Sequence, residues 1–197
     1  LVLQYVTVTG CVSDYGGGVY NEGEQSVLNI ENSSIKGNMC MLNGGGIYNN
    51  GGSVSIKDGT VMENRKYSSI SSKSGLGFGI YCAGGKLNVE GDTVVTDNTA
   101  KKSGAYINGN IVLAGSTVID ITGKLQDSAK MGVTLWDGKE DVSGVITSGL
   151  AGNGSAENFF SDDVGFMLVQ NSDGEAELIA RNEVKINGVS GSFNDTS

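Results

Sequence analysis

Four groups of residues have types and spacings that suit chemistry. Tyr20, Tyr48 and Tyr81 each follow a branched apolar residue inside a glycine-framed motif, GGGVYNEG at 16–23, GGGIYNNG at 44–51 and GFGIYCAG at 77–84. A fainter copy beginning at Ser103, SGAYINGN, adds Tyr106 as a fourth candidate. If the branched residue of each pair points inward, its tyrosine points outward. A row of exposed rings can stack on sugars, and packing between neighbouring repeats accounts for the same pattern. Asn38, Asn64 and Asn98 form a second group, with Asp97 replacing Asn98 if one inserted residue is placed differently. Stacked amides at a corner bond one another and orphan backbone groups; metal binding by Glu63 and Asp97 is a remote alternative. The third group lies in RKYSSISSKSGL, 65–76, which is seven residues longer than its counterpart and gathers Arg65, Lys66, Tyr67 and Lys73. Insertions in repeat proteins become loops on one face. A basic, serine-rich loop suits an acidic glycan, or is a plain bulge. In the fourth group, Glu31, Lys57 and Glu90 share one outward column. Glycosidases hold two carboxylates about 5.5 Å apart, or about 6.5–9.5 Å. A lysine between two glutamates reads instead as charge-compensated stacking. No catalytic residue, metal ligand or cofactor is assigned. The binding candidates are Tyr20, Tyr48, Tyr81, Arg65, Lys66, Tyr67 and Lys73.

These residues need a repetitive framework. Val19, Ile47 and Ile80 are 28 and 33 residues apart, and the segments between them align as well. Leu1, Leu28, Val54, Leu87 and Ile111 make one apolar series. Leu3, Ile30, Ile56, Val89 and Leu113 make a second, and Val8, Ile35, Val61, Val94 and Val118 a third, all with spacings of 27, 26, 33 and 24. The first two series sit two residues apart, which is strand alternation. Each repeat holds about three short strands separated by Gly, Asn, Asp and Ser turns. A period of 24–28 residues without helical periodicity predicts an all-β parallel β-helix solenoid of about five rungs, each strand pairing with its equivalents one turn away.

Composition agrees. Glycine reaches 32 of 197 residues and proline is absent. Interior strands need every N–H, which excludes proline, while tight corners favour glycine. A net charge of −9 argues against nucleic acid and anionic membrane surfaces as partners. No apolar run approaches the roughly 18 residues of a membrane-inserted helix. Cys11, Cys40 and Cys82 form no CxxC pair, and no histidine is present to complete a zinc site. They read as free thiols, with one disulfide plus a spare thiol as the alternative.

The stretch GGGIYNNGGSVSIKDGTVMENR resembles the GGGIYN-type repeats of large bacterial surface proteins, and is similar to the repeats of polymorphic outer-membrane proteins and autotransporter adhesins. NIVLAGSTVIDITGKLQDSAKMGVT, 110–134, resembles the segment that closes such arrays, and ITSGLAGNGSAENFFSDD with GFMLVQNSDGEAELIA resembles their finish. The resemblance covers about residues 1–180. It implies a right-handed parallel β-helix at the cell surface or in the extracellular space, with adhesion to glycan or to a host-surface protein and no catalytic motif. A polysaccharide lyase or glycosidase of the same fold is the alternative. Residues 1–125 are expected to form the repeats and 126–180 a C-terminal β cap, with Trp136, Phe159 and Phe160 plugging the coil. FMLVQ and EAELIA should form a hairpin over Asn171–Gly174. Residues 181–197 read as a linker or tail, and further repeats are expected before Leu1.

Overall fold

The computed structural model describes residues 1–67, 77–181, 185–186 and 189–190. The molecule is all-β, 59% strand, and a large parallel sheet curls into a half-barrel. Its strands lie beside their equivalents one repeat away and in register. Leu3 neighbours Ile30, Ile30 neighbours Ile56, and Ile56 neighbours Val89. Leu28, Val54 and Leu87 form the adjoining column. The alternation of inward and outward residues puts both columns in one apolar core, where Leu28, Ile30, Val54, Ile56, Leu87 and Val89 are almost wholly shielded. Burying each such side chain stabilises the fold by about 1.5–3 kcal/mol.

Five strands form a second sheet. Val12–Tyr15, Met39–Asn43, Arg65–Lys66 and Thr99–Lys102 stack in parallel, and Ala105–Asn108 closes the row antiparallel to Thr99–Lys102. The glycine triplets make the corners before the Tyr-bearing strands. Gly44 has φ of 68°, and a Cβ on Gly45 would lie 2.5 Å from the Phe78 carbonyl oxygen of the next layer. Only glycine fits both demands.

Three register expectations are corrected. Val95, not Val94, follows Val61, because the corner at Gly91 and Asp92 holds one extra residue, anchored where the Asp92 amide donates to Asp58 Oδ1 at 2.8 Å. The column continues to Met131 rather than Val118. Ile111 and Leu113 do not follow Leu87 and Val89; Ile119 and Ile121 do. Ile111 and Leu113 instead stack on Ile80 and Cys82. The cause is the hairpin at 99–108. Ser103 and Gly104, with φ of 49° and 91°, are its two-residue turn rather than the start of another glycine-framed motif.

Parallel pairing runs past residue 125. Lys130–Trp136 stacks on Ile111–Ala114, and Phe159–Ser161 stacks on Met131–Val133. Phe159 enters the core, Trp136 is buried outside the core cluster, and Phe160 is half-buried. Phe166–Gln170 and Ala176–Ala180 form the expected hairpin, and Gly144–Val145 joins it as a third antiparallel strand.

Candidate functional site

Ile47 and Ile80 are wholly buried, so the tyrosine after each is turned outward. Tyr20, Tyr48 and Tyr81 are in direct register. Their rings stack at 5.5 and 5.4 Å with interplanar angles of 19° and 5°. Tyr15 leans on Tyr48 at 4.8 Å and 60°. Burial and then the neighbouring phenols, Tyr81 first, push the Tyr48 hydroxyl pKa up; burial does the same at Tyr81. Both are neutral hydrogen-bonding groups near pH 7. Tyr48 has a ring on each face, and Val112 follows Tyr81 in register. The strip therefore offers ring edges and hydroxyls along its length, and Tyr20, at the end of the row, is 46% exposed. Tyr106 is not in this row; it lies on the antiparallel Ala105–Asn108 strand.

The asparagines form a buried ladder longer than sequence spacing suggests. Asn38 donates from its backbone N and from Nδ2 to Asn64 Oδ1, both at 3.0 Å. Asn64 donates in the same way to Asn98 Oδ1 at 3.0 and 2.9 Å, and Asn98 to Asn110 Oδ1 at 3.0 and 3.0 Å. Asn110 ends the series on Asp162, whose Oδ2 and Oδ1 accept its backbone and side-chain N–H groups, each at 2.6 Å. Asp97 is exposed and outside the ladder; with φ of 58° it matches Glu63, at 57°. Asn110 and Asp162 were not evident as members, because they are 12 and 64 residues beyond Asn98 rather than one period. No spacing marks them; they meet beside Gly132, where a Cβ would lie 2.4 Å from both Asn110 Nδ2 and Asp162 Oδ1. A second, shorter pair joins Asn21 Nδ2 to Asn49 Oδ1 at 2.8 Å, and Cys82 takes the next position in that column. Among the described residues every buried side-chain N or O has a hydrogen-bond partner.

Arg65 and Lys66 lie in the second sheet beside Met39 and Cys40. Lys66 Nζ donates to the Leu42 carbonyl oxygen at 2.9 Å. Tyr67 is exposed, and Lys73 lies outside the described residues. Glu31, Lys57 and Glu90 do form one column. Lys57 Nζ lies 2.9 Å from Glu90 Oε1, and Gln4 Nε2 donates to Glu31 Oε2 at 2.9 Å. All three cysteines are free thiols: Cys40 and Cys82 are buried and Cys11 is exposed.

A cleft of about 350 Å³ was not anticipated. Tyr106, Ile107 and Asn108 line it together with Asp141, Asp162 and Asp163. Burial pushes the Asp162 carboxyl up to about 6, opposed by its hydrogen bonds from Asn110 and reinforced by the charge of Asp141. A carboxyl with that pKa, in a cleft, is a group able to exchange a proton near neutral pH. Its hydrogen bonds also explain it as the end of the asparagine ladder.

Among the described residues no helix is long and apolar enough to cross a membrane. Comparison of the chain with protein-family models, curated proteins and solved structures finds no match.

Proposed function

We propose that the chain is a right-handed parallel β-helix domain of a bacterial cell-surface or secreted protein, non-enzymatic, that displays a binding face and adheres to glycan or to a host-surface protein. Several features support this reading. The strands stack in register with their equivalents, which is how a β-helix forms its coil. Right-handedness is the general preference of parallel crossovers. The observation that carries the adhesive reading is the half-exposed strip Tyr20–Tyr48–Tyr81, fixed by ring stacking on a rigid sheet. Its edges and hydroxyls repeat at the layer spacing, so it suits an extended polymer lying along the stack, with one sugar ring stacking at Tyr20. Aromatic anchors at such surfaces carry more than about 1 kcal/mol each.

The test is a glycan-array screen of the purified chain, repeated with the double variant Tyr48→Ala, Tyr81→Ala. Adhesion through the strip predicts that a glycan signal is lost while the fold survives. A lowered melting temperature with unchanged binding would make the strip a packing device only.

A second reading, a carbohydrate-active enzyme, is favoured by one observation, the cleft that is lined by Asp141, Asp162 and Asp163 together, with Asp162 able to act as an acid. Turnover of an acidic polysaccharide that disappears in Asp162→Asn would replace the non-enzymatic reading.

A further inference from the structure

The second sheet changes direction at one point, and that change leaves an edge that no described strand covers. Each of its strands up to Thr99–Lys102 is covered by the parallel equivalent of the next repeat. Over Thr99–Lys102 the chain instead turns back and lays Ala105–Asn108 antiparallel. The turn has two residues, Ser103 and Gly104, both with positive φ. A two-residue hairpin of this kind places the flanking pair, Lys102 and Ala105, in mutual hydrogen bonding. Antiparallel pairs alternate, so Ala100 and Ile107 bond each other, while Tyr106 and Asn108 turn their N–H and C=O groups the other way. The Gly109 amide, which donates to the Asn98 carbonyl at 3.0 Å, fixes the same phase. Tyr106 and Asn108 therefore present backbone donors and acceptors on the outer edge, where no described strand pairs with them.

That edge borders the cleft. Its strand is exposed, Tyr106 at 65%, and the same cleft is lined by Asp141, Asp162 and Asp163 with Val164, which is 87% exposed. Among the described residues that line the cleft, Lys102 is the one cation. An unpaired strand edge is a template for an added strand. The acidic lining selects what is added, because three carboxylates on a chain of net charge −9 repel a second copy and attract cations.

We propose that the free edge of Ala105–Asn108 takes up an extended peptide segment bearing lysine or arginine, which adds as a strand to the second sheet and directs its cationic side chains to Asp141, Asp162 and Asp163. Side chains on one face of such a strand recur about every 6.6–6.8 Å, a spacing that places successive cations along the acidic lining. Tyr106 and Val164 give the intervening stems an apolar surface. This site is separate from the tyrosine strip and stands whether or not the strip binds glycan.

The experiment uses the full chain and a fluorescent, acetylated heptapeptide alternating lysine and valine. Binding is expected at micromolar affinity in low salt, with slowed amide exchange at Tyr106 and Asn108. Asn108→Pro removes one edge donor and none of the hairpin's own bonds, and should weaken binding about ten-fold. A heptapeptide alternating glutamate and valine should not bind. The proposal is overturned if the lysine peptide fails to bind, if Asn108→Pro binds it equally, or if binding leaves exchange at Tyr106 and Asn108 unchanged. It is also overturned if sedimentation shows the free chain dimerising through this edge, with the dimer lost in Asn108→Pro. Should Asn108→Pro fail to fold, the exchange measurement on the unaltered chain decides alone.

Discussion

Asn98 Oδ1 accepts two hydrogen bonds from Asn64, one from its backbone N at 3.0 Å and one from Nδ2 at 2.9 Å. The same side chain of Asn64 also donates to the Ile35 carbonyl at 2.9 Å, and its own Oδ1 accepts both bonds from Asn38. One wholly buried amide thus satisfies donors and acceptors in three layers.

Asn64→Ala should remove that link, leaving the Asn38 backbone N–H without its acceptor and the Ile35 carbonyl without the amide donor, and cutting the bonds to Asn98 Oδ1 from two to one. Buried groups left unsatisfied cost about 1–3 kcal/mol each. A loss of about 3 kcal/mol or more is expected in urea unfolding, read as a lower midpoint at unchanged slope. A loss below about 1 kcal/mol would show that water or a shifted neighbour replaces the amide.

Ile56→Asp tests the core columns. Ile56 lies between Ile30 and Val89 and is 1% exposed. A carboxylate there has no cationic partner in the apolar core, and such burial destabilises by several kcal/mol. Natural domains have only about 5–15 kcal/mol in total. Unfolded or insoluble protein is expected, and an unchanged melting temperature would contradict the inward placement of this column.

The first four members of the leading columns were legible because alternation and a near-constant period act together on them. Leu28, Val54 and Leu87 needed only counting. Legibility failed where spacing and contact separate. The extra residue at Gly91–Asp92 shifts Val94 to the outward side, and one slip of register exchanges the faces of a strand. The hairpin at 99–108 displaced the fifth repeat because Ser103–Gly104 imitates the glycine-rich motif while serving as a turn. The tyrosine row followed directly from the inward Val19, Ile47 and Ile80. Its stacking did not, because ring orientation depends on neighbours in three layers. The acidic cleft was invisible, since Tyr106, Asp141 and Asp162 are distant in sequence and meet only through the reversed strand and the final parallel layers.

The cysteines should differ sharply in reactivity. Burial pushes the Cys40 thiol up to about 11, against a lowering influence from Lys66, and the Cys82 thiol up to about 12. Thiolate is the reactive form. Ellman's reagent at pH 8 should modify Cys11 in the folded chain, and Cys40 and Cys82 only after denaturant is added. Rapid reaction of all three without denaturant would show that the core opens.

Asp162→Asn should stabilise the molecule at neutral pH and remove part of its pH dependence. Burial lifts the Asp162 carboxyl from its ordinary 3.8 to about 6 in the folded chain. The folded state therefore binds the proton more tightly than the unfolded state. Between about pH 4 and pH 6 the folded chain carries the extra proton, so stability falls as pH rises through this window and stays lower above it. A shift of about two units corresponds to about 3 kcal/mol at most. An asparagine at this position can accept both Asn110 bonds on a single Oδ1, as Asn64, Asn98 and Asn110 already do for their neighbours. It extends the ladder without a buried charge beside Asp141. Urea unfolding at pH 4.5 and pH 7.5 should show the unaltered chain losing stability toward pH 7.5 through this group, and the variant losing less, with the two converging at pH 4.5. If Asp162→Asn is less stable at both pH values, the ladder requires a carboxylate at its end, and the two 2.6 Å bonds to Asn110 outweigh the cost of the buried charge.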